Sequence, residues 1–403
     1  MTTQSPSTGK GAILVIAPQP FYEDRGTPIA VLQLLRALTE RGERVDLLTF
    51  PVGADMEIPG VRVIRVANPL RIRSVPIGFS LRKVLLDLLL TPEIRRRLRS
   101  GAYRCVHAVE ESAFPAAHYA RPLGIPVIYD MQSYLPEQMR KHFVFRGPLA
   151  QRALRRCVRR LVRRSDRIIC SSGLEERVRA LVPNAWVREW RFAGEFAEAV
   201  PAEEIARQRE RLGIGPERRV ILYCGTFESY QGLDLLAKAI PEVMRRAPEA
   251  FFLLVGAGER DALRFLGLSE GMSRNGSLRI LPRRPRRDLS ACLALADVAV
   301  SPRAFGDNLP LKVFDYMTAG LPIAATDIMA HRRVLNEERA VLARPEVHAL
   351  TDAIVRLIRD REEAVRLGAA ARVYAEAELG WPAFVGRVAD LYEGVTGGAK
   401  SER

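Results

Sequence analysis

A chain of 403 residues exceeds what one hydrophobic core comfortably organises, so two domains of about 200 residues are expected. With 48% apolar and 27% charged residues, the composition excludes disordered and fibrous classes, and no apolar run reaches the ~18–20 residues of a membrane span. The net charge of +15 is unevenly held: residues 1–200 carry 32 Lys and Arg against 19 Asp and Glu, residues 201–403 carry 30 against 28. The first half is therefore expected to face an anionic partner, membrane or nucleic acid.

The polar start, MTTQSPSTGKG, lacks the charged start and long apolar core of a secretory signal, so a cytoplasmic location is expected. AILVIAP (12–18) reads as a buried parallel strand, and IAVLQLLRALTERG as an amphipathic helix stopping at Gly42. Further strands are expected at VDLLTF, VRVIRV, RCVHAV (104–109), IPVIYD (125–130) and DRIICSS (166–172), which alternate with helices. The five cysteines lack CxxC spacing and stand in or beside apolar segments, so buried free thiols are expected, and no His spacing suggests a metal.

In LAQRALRRCVRRLVRRSDR (149–167), arginine pairs alternate with apolar pairs, which gives a helix with one apolar and one cationic face. Either that face docks on an anionic membrane or its arginines are simply solvated. LRKVLLDLLLTPEIRRRLRS (81–100) likewise joins leucines to a basic tail. Nucleic acid is disfavoured, because aromatic platforms are not interleaved with the basic residues.

Composition changes between about Arg188 and Gly215, then alternation resumes with VILYCG (220–225), GLDLLAKAIPEVMRRAP, AFFLLVGAG, LRILPR, DVAVSPR and LPIAATD. The expected division is 1–190 and 191–379, with a helix over about 380–395 packing back on the first domain. Ligands of such sheets bind beyond the strands' carboxyl ends. There lies DNLPLKVFDYMTAGLP (307–322), with Pro310 suited to a first helical position and Gly320 to the stop. The N–H groups of Asn308, Leu309 and Lys312, with the Lys312 charge, would form an anion site. Asp307 and Asp315 suit sugar or ribose hydroxyls, or else Asp307 or Asn308 merely caps the helix. VGAG (255–258) lacks a third glycine and reads as a turn beneath the site rather than a dinucleotide motif.

Several segments, in order, resemble the retaining, nucleotide-sugar-dependent glycosyltransferases of family 4, which have the GT-B fold. RGTPIAVLQLLRALTERGERVDLLT resembles their glycine loop and first helix, HAVEES and GIPVIYDMQSYLPEQ their acceptor domain, VILYCGTFESYQGLDLLAKAI the opening of their donor domain, and LPLKVFDYMTAGLPIAATD their E-x7-E helix. The resemblance implies two Rossmann-like α/β domains facing each other across a cleft. It also implies sugar transfer from a UDP- or GDP-sugar to a glycan or lipid-linked acceptor, without a required metal, at the inner membrane face. Aspartates replace both glutamates, and Thr226 and Gln231 stand where relatives place Arg and Lys. Gln132 stands where a histidine often follows. The resemblance assigns Asp307 to the donor sugar, Asp315 to the ribose, and Gly26 and Thr27 to the phosphates. Lys312, with Arg303 or Arg283, would replace the missing cations. Gln132 would take the histidine's catalytic position, Glu110 or its neighbour Glu111 would meet the acceptor, and Glu228 would contact donor hydroxyls or cap a helix. The replaced positions leave one alternative, a degenerate binding or scaffold protein.

Overall fold

The computed structural model describes residues 11–23, 26–76, 80–140, 142–171, 173–191, 193, 200–268, 276–284, 289–305 and 310–395. The chain divides into two compact units, Met1–Phe192 with Phe384–Arg403, and Ala193–Ala383.

The first unit holds seven parallel strands: β1 (Ala12–Ala17), β2 (Val45–Thr49), β3 (Val61–Arg65), β4 (Tyr103–Val109), β5 (Val127–Met131), β6 (Arg167–Cys170) and β7 (Val187–Glu189). Their order is β3-β2-β1-β4-β5-β6-β7, so β1 and β4 lie side by side and the connection changes direction there. The central strands are apolar runs covered on both faces, and β1 is buried from Ile13 to Ala17. β7 lies within the first of the expected domains, where Val187 pairs with Ile168; a three-residue strand leaves no periodicity to read. Four helices of this unit bear on function: α1 (Gly26–Glu40), α2 (Leu81–Leu98), α3 (Ala113–Ala120) and α4 (Pro148–Val162). Leu86, Leu90, Ile94 and Leu98 of α2, the alanines of α3, and Val158, Leu161 and Val162 of α4 enter one core. Each such buried Leu, Ile or Val side chain contributes about 1.5–3 kcal/mol.

Cys157 corrects another expectation: four cysteines are buried and free, but this one is exposed. The apolar stripe of α4 runs through Val158 and Leu161, and Cys157 falls one position off it.

The second unit holds six parallel strands: β8 (Arg219–Cys224), β9 (Ala250–Ala257), β10 (Leu278–Pro282), β11 (Val298–Ser301), β12 (Ile323–Thr326) and β13 (Val341–Ala343). Their order, β10-β9-β8-β11-β12-β13, puts the change of direction between β8 and β11. Helix α5 (Leu233–Arg246) follows β8, and α6 (Leu311–Thr318) follows β11. The last helix, α7 (Trp381–Tyr392), buries Phe384, Val388, Leu391 and Tyr392; Phe384 meets the Trp190 ring edge-on at 5.3 Å in the first unit. Among the described residues no helix is long and apolar enough to cross a membrane.

Candidate active site

In the second unit the crevice beyond β8 and β11 is where a parallel α/β sheet binds ligands. Two glycines let the loops close on each other there. Gly232 takes φ +75° at the start of α5, and a Cβ on it would stand 1.8 Å from the Pro302 carbonyl oxygen. Gly256, at φ +117°, lies so near Gly225 that its Cβ would meet that carbonyl at 2.3 Å. VGAG is not the expected turn, since β9 runs through Ala257; its Gly256 packs the strand end against the β8 loop, a role that demands a residue without a side chain.

Lys312 and Gln231 bridge the two loops. Lys312 Nζ donates to Gln231 Oε1 at 2.9 Å and lies 3.9 Å from the Tyr223 ring centroid. The Tyr223 hydroxyl in turn donates to the Thr226 carbonyl at 2.7 Å, which fixes the loop. Lys312, expected to add its charge to the anion site, is buried, with 6% exposure. Burial holds its amine well below the usual lysine range, and Arg303 pushes it the same way while Cys224 opposes. Helix α6 starts at Leu311 with Pro310 as its cap, one position later than the sequence suggests. Ala319 ends it and Gly320 follows at φ +70°.

Arg303 donates to the Phe305 carbonyl at 3.0 Å, and its guanidinium lies over the Tyr230 ring. Its own carbonyl accepts from Thr326 Oγ1. His331, which sequence reasoning missed, anchors this loop between Ser301 Oγ at 2.8 Å and the Thr326 carbonyl at 2.7 Å. Burial lowers its imidazole to about 4, so it is neutral at pH 7. Glu228 is exposed, and Tyr230 is pushed up by burial and by its bond to Glu228. Asp315 sits partly buried on α6. Arg283 emerges from β10, the sheet edge, with β9 and β8 between it and β11. Asp307, Asn308 and Leu309 lie outside the described residues.

The first unit carries a second polar group at its own change of direction. Glu110 follows β4 at φ +51°, an uncommon backbone for a residue with a side chain. Burial, aided by Glu111, raises its carboxyl to about 8, so it is a protonated acid at pH 7. Ser133 Oγ donates to it at 3.2 Å. Its neighbour Glu111 pairs with Lys83 of α2 at 2.5 Å, which ties the start of that helix to the end of β4. Asp87, one turn on, is likewise raised to about 8 by burial.

Gln132 is held at both ends: its Nε2 donates to Asp130 Oδ1, and its Oε1 accepts from Ser171 at 3.1 Å. Asp130 continues to His107 Nε2 at 3.4 Å, and His107 Nδ1 bonds the Tyr392 hydroxyl of α7 at 2.8 Å. His107, Asp130 and Tyr392 escaped the sequence reading; the available signal was a histidine inside an otherwise apolar strand, which needs partners. Gly26 and Thr27 open α1, and no atom within 4 Å would obstruct a Cβ on Gly26. The structure thus brings Gln231 and Lys312 together in one unit. Gln132, Glu110, Gly26 and Thr27 belong to the other.

Residues 25–189 match the family described as glycosyl transferase 4-like domain, and residues 218–360 match glycosyl transferases group 1. The phosphatidyl-myo-inositol mannosyltransferase of Mycobacterium leprae is 26% identical over 396 residues, 96% of this chain and 98% of that one. Among solved structures, sucrose-phosphate synthase from Thermosynechococcus elongatus aligns with a TM-score of 0.73 at 20% identity, over 95% of this chain and 98% of its own. HepE from Anabaena, solved with UDP, aligns at 0.72 and 17% identity, over 95% and 99%. These two structures share the fold.

Proposed function

This chain belongs to the group 1, family 4-like glycosyltransferases with the GT-B fold, and we propose that it moves a hexose from a UDP- or GDP-sugar to a lipid-linked or envelope-glycan hydroxyl, with retention of configuration. The observation that carries this reading is the Lys312–Gln231 pair at the change of direction in the donor-type sheet. It supplies a cation where the β8 loop itself has Thr226 and Gln231, and so weighs against a degenerate scaffold.

In this reading the bond from the sugar's anomeric carbon to the diphosphate oxygen breaks, and a bond to the acceptor oxygen forms on the same face. The acceptor's proton passes to the departing diphosphate, so no protein base is required. The protein supplies position and charge stabilisation. Lys312 and the start of α6 attract the diphosphate. Asp307 orients donor hydroxyls, Asp315 the ribose, and the N–H groups of Gly26 and Thr27 suit phosphate oxygens. Glu110 donates a hydrogen bond to the acceptor below about pH 8, because it is still protonated there. Gln132, with both amide ends engaged, holds the acceptor loop in shape. The mycobacterial relative's name supports a phospholipid head group as acceptor class, and the basic first half supports work at the cytoplasmic face of an anionic membrane.

The test incubates the protein with UDP-, GDP- and ADP-sugars and phospholipid acceptors, following nucleotide release, the mass of the lipid product and its anomeric configuration. A retained glycolipid, with turnover cut at least about a hundredfold in Asp307→Ala, is expected. No turnover with any donor would defeat the reading.

A further inference from the structure

Helices α2 and α4 flank α3 on one face of the first sheet, since all three feed the same core. Both begin at the sheet's carboxyl edge. Lys83, in the first turn of α2, pairs with Glu111 just beyond β4. Gln151, in the first turn of α4, is buried and donates to the carbonyls of Pro136 at 3.0 Å and Phe145 at 2.8 Å. That side chain fixes the turn ahead of α4.

At these two helix starts the apolar side chains face outward. Phe143, Val144 and Leu149 are 86%, 77% and 79% exposed, and Leu81 and Leu88 are 78% and 64%. Leu85 lies between the last two, so α2 shows an i, i+4, i+7 stripe to solvent beside its buried one. Single exposed apolar residues are ordinary; two clusters at the starts of the helices that flank α3 are not.

Charge separates the possible occupants. Between Glu137 and Asp166 the sequence has ten basic residues and no acidic one. Arg152, Arg155, Arg156, Arg159, Arg160 and Arg163 are exposed, and none forms an ion pair among the described residues. A protein partner would have to supply many carboxylates around an apolar centre. Nucleic acid would gain little from Leu81, Leu88, Val144 and Leu149, which offer no flat face for a base. A bilayer with anionic head groups satisfies both parts: aliphatic side chains enter the boundary with the acyl chains, and each nearby arginine adds about 1 kcal/mol.

We propose that the first unit docks on an anionic lipid bilayer through two apolar wedges, Leu81, Leu85 and Leu88 on α2 and Phe143, Val144 and Leu149 before α4. The α4 arginines surround the wedges and set the preference for anionic lipid. This extends the proposed function, on which it rests for the choice of a lipid-anchored acceptor. Glu110 belongs to the same carboxyl edge, so a head group at the bilayer surface lies near the acid that would meet it.

The experiment is co-sedimentation with phosphatidylcholine vesicles, with and without phosphatidylglycerol, at low and high salt. Alongside it, nucleotide release is followed without lipid. Wild type is expected to bind only the phosphatidylglycerol vesicles. Phe143→Ser/Val144→Ser/Leu149→Ser should weaken partition roughly tenfold or more while lipid-free nucleotide release is unchanged. Arg156→Ala/Arg160→Ala should weaken it further at low salt than at high salt. Binding by the triple-serine variant at the wild-type level overturns the proposal, as does tighter binding to duplex DNA than to the anionic vesicles. Vesicle binding without any nucleotide release would leave the docking surface standing and defeat the transferase reading; release without vesicle binding would do the reverse.

Discussion

Lys312 illustrates how one side chain can be visible in the sequence while its state is not. Its position in the first turn of α6 marks it as a cation near a helix start, but its partner Gln231 is 81 residues away. Burial that holds the amine below the usual lysine range is a property of packing that no local pattern encodes. Glu110 carries a comparable lesson. The sequence places a glutamate after a strand, but only the fold shows that it stays protonated up to about pH 8. A carboxyl with a raised pKa is neutral below that value and ionises above it, so any hydrogen bond it donates is lost as pH rises through about 8. Acceptor-dependent turnover is therefore expected to fall on the alkaline side of 8. Glu110→Gln, which still donates from its amide, should lose less than about tenfold at pH 7 and lack that limb. The pH–rate profile decides: the same limb in the variant would remove Glu110 from the reaction.

Among elements, the loops after β8 and β11 depend on backbone contact that only glycine allows. Gly232→Ala places a Cβ against the Pro302 carbonyl and adds an unfavourable left-handed residue. A loss on the order of 3 kcal/mol in the stability of the second unit is expected. Gly276→Ala is the control in the same unit: its φ is +66°, nothing lies within 4 Å of the added Cβ, and only about 1 kcal/mol should be lost. Denaturant unfolding of the two variants measures the difference, and equal losses would show that loop contact is not what Gly232 provides. The long strands and amphipathic helices of this chain were legible from apolar runs and helical spacing. β7 was not, because three residues beside a composition change carry no period. The burial of α4 was legible in outline only: the alternation gives the inward face, but not that Cys157 and Leu149 fall outside it.

For the molecule as a whole, charge asymmetry pointed toward an anionic surface, and the ordered motifs pointed to the family to which the chain belongs. The polar chain from Tyr392 through His107 and Asp130 to Gln132 was beyond reach, since it joins residues 285 positions apart. It fastens α7 to the first unit and shapes the loop after β5 by one set of hydrogen bonds. Asp307, Asn308 and Leu309 lie outside the described residues, so the donor account turns on what the residues around Lys312 do. Tyr223, Gln231, Cys224, Arg303 and His331 surround its amine. An arriving diphosphate favours the charged form, so binding takes up a proton and weakens as pH rises. Titration calorimetry of UDP and GDP with wild type and Lys312→Met, at neutral and alkaline pH, tests this most directly. The account predicts that wild-type affinity falls with pH, while Lys312→Met binds at least about tenfold more weakly at neutral pH and shows little pH dependence. Wild-type affinity and an unchanged pH profile in Lys312→Met would contradict it.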